Sequence, residues 1–122
     1  MSNYSFSIKP VKVPQVETKF RSIKTSIPAV GTEDFLLRLS NVESRSMHGQ
    51  IPIVWDLAKD FTVFDIAGNR FIDFTSTIFV ANVGHSNQAV NKAMIDVISK
   101  PLYSCYAYSN EIRAIYLEKL VK

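Results

Sequence analysis

Apolar positions in residues 1–31 follow no sustained period, and Pro10, Pro14 and Pro28 interrupt them, so this stretch is expected to run as an extended arm. From Thr32 the pattern turns helical. Thr32 is placed to cap the first turn, Glu33 and Asp34 suit its positive end, and Phe35, Leu36, Leu39 and Val42 share one face, which predicts a helix near 32–45. Gly49 and Pro52 break the chain, after which "IVWDLAKDFTVFDIAGNRFIDF" alternates as three short strands. Lys59-Asp60 and Ala67-Gly68-Asn69 mark its turns, since Gly and Asn reach positive φ most cheaply. A small antiparallel meander over about 53–74 follows. Ala89, Val90, Ala93, Met94, Val97 and Ile98 then repeat with a helical period behind a cap at Ser86 or Asn87, and Pro101 stops that helix. The tyrosine-rich connection "LYSCYAYS" leads to a last helix, capped by Ser109 or Asn110, with Ile112, Ile115, Tyr116 and Leu120. The predicted fold class is α+β: an arm over 1–31, then 32–122 as meander and helices near 87–99 and 110–122. The closing "EKLVK" brings neither a C-capping glycine nor a polar tail, so the chain is expected to be the front portion of a longer protein.

Composition narrows this without redirecting it. With 122 residues the chain can hold one modest domain, and 47% hydrophobic with 20% charged residues is an ordinary globular balance. No apolar stretch approaches the roughly 18 residues of a membrane span, and the start lacks the features of a secretory signal. One cysteine, Cys105, reads as a buried small hydrophobe and points to a reducing, cytoplasmic setting. The net charge of +3 gathers in the arm, where Lys9, Lys12, Lys19, Arg21 and Lys24 face a single acid, Glu17. Such an arm is either a contact for phosphate or an acidic partner, or a solvated lead-in. The spacing of its cations and the lack of interleaved aromatics argue against nucleic acid.

Unaided chemistry is hard to find in these residues. The histidines, His48 and His85, stand far from each other and from Cys105, which argues against a metal site, and no Gly-x-Ser-x-Gly elbow frames a nucleophile. Four scattered glycines do not make a phosphate cradle. Asp65 and Asp73 flank the meander as a carboxylate pair, but exposed strand positions account for them. By pattern alone the chain is a small α+β unit of a larger enzyme or binding protein.

The ordered run "VFDIAGNRFIDFTSTIFVANVGHSNQAVNKAM" resembles the N-terminal signature of the class III pyridoxal-phosphate aminotransferases. Its matching parts are Phe64-Asp65, Gly68-Asn69, Phe71-Ile72-Asp73-Phe74, Ile78 to Val80 and Asn82-Val83-Gly84-His85. Less crisply, "YAYSNEIRAIYLEKL" resembles the segment before that family's phosphate loop, so the likeness covers about residues 50–122. Two features depart from the family. Ser86-Asn87 stands where a second His-Pro pair is common, and Thr77 where a Gly often precedes the pocket hydrophobe.

The resemblance implies an N-terminal segment of a fold-type I pyridoxal-phosphate-dependent transferase. It implies amino transfer from an amino donor to a keto acid or aldehyde, a homodimer with active sites at the subunit interface, and pyridoxal 5'-phosphate as cofactor. Ile78 and Tyr108 would touch substrate, while Asn82, Gly84 and His85 would form a structural turn in which His85 satisfies backbone groups. The phosphate loop, the acid on the ring nitrogen and the Schiff-base lysine would lie beyond residue 122, so the chain by itself would hold no catalytic residue and be inactive. A non-catalytic or split-chain module, or a related aminomutase, decarboxylase or racemase, stays open as the alternative.

Overall fold

A computed structural model describes residues 4–100, 102 and 107–122; the expected stop at Pro101 and the expected burial of Cys105 lie outside the described residues. The chain divides into two compact units, Met1–Asn87 and Gln88–Lys122.

The first unit is built on a five-stranded antiparallel sheet of β1 (Val16–Glu17), β2 (Ser22–Ile23), β3 (Trp55–Lys59), β4 (Thr62–Asp65) and β5 (Arg70–Ile72), in the order β1-β2-β5-β4-β3. β3, β4 and β5 are the meander that alternation predicts. Asp60 at φ 51° and Gly68 at φ 76° turn the chain between them. The register of β3 against β4 shifts between Trp55 and Leu57. Residues 4–31 run largely extended, and they pair. Thr18 receives the Arg21 amide on its hydroxyl at 2.9 Å and donates its own amide to the Arg21 carbonyl at 2.8 Å, closing the β1-β2 hairpin. Phe20 at the tip meets Phe61 edge-on at 5.1 Å, and Ser22 of β2 faces Arg70 of β5. A second bridge joins Val11 to Ile27.

Helix α1 runs Thr32–Ser40, ending short of 45. Thr32 does not cap it. Gly31 occupies the cap position at φ 95°, and the Thr32 hydroxyl is buried one residue too far along to bond the first turn, with no hydrogen-bond partner. Leu36 buries against Ile8 and Val54 as the central cluster, with Tyr4 and Leu39 on its margin, whereas Val42 lies outside the helix and is exposed. A 3-10 turn, Arg45–Gly49, carries His48 into the interior, 3% exposed, its ring 4.8 Å from that of Tyr4.

Asn69, in the turn between β4 and β5, is fully buried. Its Oδ1 accepts the Lys24 and Thr25 amides at 2.8 and 3.1 Å; its Nδ2 donates to Thr25 Oγ1 at 2.7 Å and Asp65 Oδ2 at 2.8 Å. Asp65 Oδ1 accepts the Ala67 and Asn69 amides, both at 2.9 Å. Asp65 is therefore 2% exposed, and the expectation of an exposed strand position is corrected: its lone pairs are consumed by the turn that it closes.

The second unit holds α2 (Gln88–Ile98) and α3 (Glu111–Leu120). Of the two caps considered for α3, Asn110 serves, its Oδ1 accepting the Arg113 amide at 2.9 Å.

Candidate functional site

β5 ends at Ile72, and the chain from Asp73 to His85 leaves the sheet and returns to it. At the outgoing end Asp73 Oδ1 accepts both the amide and the hydroxyl of Thr75, at 2.9 and 2.8 Å. At the returning end the His85 amide donates to Asp60 O at 2.7 Å and the Asp60 amide to His85 O at 2.9 Å. Gly84 is needed there for two reasons. Its φ is +86°, and a Cβ would stand 3.2 Å from Asp60 Cα, a backbone atom that cannot yield.

The ends are joined directly. His85 Nε2 lies 2.7 Å from Asp73 Oδ2, with side-chain exposures of only 13% and 3%. The Trp55 ring stands edge-to-face to the imidazole at 5.9 Å. Asp73 is thus also corrected from an exposed strand position to an enclosed one. Burial pushes its carboxyl up, but the hydrogen bonds from His85 and Thr75 outweigh this and hold it down at about 2. A cleft of about 270 Å³ opens beside the pair, lined by Asp60, Asp73, Ser76, Asn82, Gly84 and His85 among others.

Between these ends the apolar run adopts a backbone that local propensity does not favour. Ser76–Phe79 makes one left-handed turn, with φ of 47°, 51°, 57° and 68°, closed by the Phe79 amide on Thr75 O and the Val80 amide on Ser76 O. For residues with a Cβ the left-handed region costs roughly 1–2 kcal/mol each, and branched Thr77 and Ile78 fit it worst. Burial does not repay this. Ile78 is 74% exposed, Phe79 75% and Val80 82%.

Ile78, Asn82, Gly84 and His85, singled out from sequence, therefore share one loop. Tyr108 belongs to the second unit, in the turn before α3, and is 80% exposed. His85 uses its backbone groups on Asp60, whereas its ring serves a carboxylate. Sequence reasoning passed over that partner, Asp73, and the neighbour Trp55. An acid at the end of a strand whose following loop closes on Gly-His was the available signal.

The short antiparallel sheet and the helices match the N-terminal segment of solved aminotransferases, which are pyridoxal-phosphate transferases of fold type I. The chain belongs to the class III aminotransferases, whose family match spans residues 44–122. It is 28% identical over 85 residues to the mitochondrial ornithine aminotransferase of Arabidopsis thaliana, covering 70% of this chain and 18% of that protein. To the acetylornithine aminotransferase of Wolinella succinogenes it is 35% identical over 75 residues, 62% of this chain and 19% of the other. The solved acetylornithine aminotransferase of Elizabethkingia anophelis shares the fold, with a TM-score of 0.67 at 24% identity over 74% of this chain and 23% of that one. The chain spans about a fifth of the length of the curated relatives it matches.

The family depends on pyridoxal phosphate. Its covalent anchor is a lysine freed from water, but all nine lysines here are exposed to solvent. The described residues do not fit such an anchor.

Proposed function

We propose that this chain is the substrate-facing N-terminal part of an aminotransferase that moves an amino group from an amino donor to a keto acid or aldehyde, with dimer contacts made by the same segment. The observation that carries this is the loop 73–85: a family-matching apolar run held outward on an unfavourable backbone, with Ile78 exposed at its tip. Backbone strain at an exposed apolar site is more often kept for a contact than for stability.

Within this role the chain binds and orients and does no bond chemistry. Ile78 offers an apolar wall, Tyr108 an aromatic face with a hydroxyl, and Asn82, Gly84 and His85 hold the turn that presents the wall. Pyridoxal phosphate would supply the electron sink from residues elsewhere in the homodimer. The cytoplasm is our assignment of compartment; a mitochondrial setting, as in the name of the Arabidopsis relative, is the competing one. A mutase, decarboxylase or racemase of the same family is the competing activity, and analysis of products from each donor separates them.

The test is Ile78→Ala and Tyr108→Ala in the holoenzyme that contains this chain, with kcat/KM measured across a panel of amino donors. One lost apolar contact at a substrate wall is worth about tenfold or more in discrimination. The donor ranking should therefore change while cofactor occupancy holds. Equal losses for all donors, tracking thermal stability, would reduce both residues to packing.

A further inference from the structure

We propose that Asp73 and His85 are positioning residues that act as a latch: by tying the outgoing and returning ends of segment 74–84 together, they hold the left-handed turn and keep Ile78 presented. The turn has little else to hold it. Its internal bonds, from the Phe79 amide to Thr75 O and from the Val80 and Ala81 amides to Ser76 O, would form equally well in the mirror-image, right-handed turn, and its apolar side chains stay mostly in solvent. What distinguishes the observed hand is the direction in which the chain leaves Asp73 and re-enters at His85.

One carboxylate touches both ends. Its Oδ1 fixes the Thr75 amide and hydroxyl immediately before the turn, and its Oδ2 meets the His85 ring at 2.7 Å after it. His85 is itself immobilised by two backbone bonds to Asp60, with Gly84 seated against the Asp60 backbone and Trp55 on the imidazole. The ring therefore bonds Asp73 from a fixed base, and fixing Asp73 fixes Thr75 and the start of the turn. Asp60, bonded through its backbone, is the other ionisable residue among the described residues that line the same cleft. The bearing of the latch on substrate contact rests on the function proposed above. The latch itself does not.

The experiment is amide hydrogen exchange by NMR on the chain, without substrate. It compares the Phe79, Val80 and Ala81 amides of the turn with the Asp65 and Ile66 amides at the far end of β4. His85→Ala should lower protection of the turn amides about tenfold relative to the reference amides, a local opening rather than a global one. His85→Gln, whose amide N–H can stand near the position of Nε2, should restore most of it. Turn and reference amides losing protection by the same factor, or a turn unaffected by His85→Ala, would overturn the latch.

Should His85→Ala fail to fold, the unaltered chain is titrated with acid while the Asp73 carboxyl carbon is followed. The amide shifts of residues 79–81 should move with the same midpoint, and shifts that stay still while Asp73 protonates would overturn the proposal. An intact latch with an unchanged donor ranking in Ile78→Ala would remove the substrate contact and leave the latch standing.

Discussion

Two connections leave the same meander and are built in opposite ways. Between β4 and β5, residues 65–69 place the positive φ on Gly68 and bury two polar side chains whose hydrogen bonds are all made within the protein. After β5, residues 73–85 place positive φ on Ser76, Thr77, Ile78 and Phe79 and leave apolar side chains in solvent. The first follows every local rule and contributes stability. The second breaks two rules at once, and its backbone strain is offset by the bonds at its base and by whatever meets its exposed tip.

Removing the central residue of the first connection should give the largest effect. Asn69→Ala leaves the Lys24 and Thr25 amides and Asp65 Oδ2 without their partner in the interior. At about 1–3 kcal/mol for each buried group left unmade, with water entering to satisfy part of them, a loss of about 3 kcal/mol is expected. Urea denaturation measures it. A loss below about 1 kcal/mol would mean that the turn is not the anchor of the 24–25 segment, and the contrast between the two connections would collapse.

How much of this the sequence discloses follows from the range of the interactions. The α+β pattern of meander and helices is legible because alternation and helical period are local, as are Gly68 and a cap at Ser109 or Asn110, between which only the structure chooses. The pairing of Ser22 with Arg70 and the bonds from Asn69 to residues 24 and 25 are not, because they join positions more than 40 apart and no neighbour announces them. Asp65 and Asp73 were misjudged for a related reason: an acid in a strand reads as exposed until the donors that surround it are known. The loop tip is the hardest case. Nothing in Ser-Thr-Ile-Phe asks for a left-handed backbone; the closure of its ends imposes it, and that closure is a tertiary fact.

The second expected effect probes the base of the loop by pH. The Asp73 carboxyl is held at about 2, below its ordinary 3.8, so ionised Asp73 stabilises the fold above pH 4. That stabilisation is lost as pH falls from about 4 through about 2, on the order of 1–2 kcal/mol. Asp73→Asn should flatten this part of the stability curve relative to the parent chain. An unchanged slope between pH 4 and 2 would show that other carboxylates carry the acid sensitivity, and that the base of the loop is less tightly held than its 2.7 Å contact implies.

The smallest effect is the sharpest for the tip. Thr77, at φ 51° and ψ 51°, is a β-branched residue in a left-handed turn, at the position where the resembling family often carries Gly. Thr77→Gly removes a Cβ penalty of roughly 1–2 kcal/mol but frees the unfolded chain by about 0.5–1 kcal/mol. It also loses an exposed hydroxyl contact to Ser76 O at 2.7 Å, which contributes little in water. The net expectation is a gain of about 0.5 kcal/mol. Thr77→Ala is the control that isolates the cause, because alanine keeps the Cβ and with it most of the penalty. Gly should therefore exceed Ala in stability by roughly 1 kcal/mol, the reverse of their order at an ordinary helical position. Thermal midpoints of the two variants decide it: Ala equal to or above Gly would mean that residue 77 is not left-handed in solution. The outward loop would then lose the feature that sets it apart from the turn at Asn69.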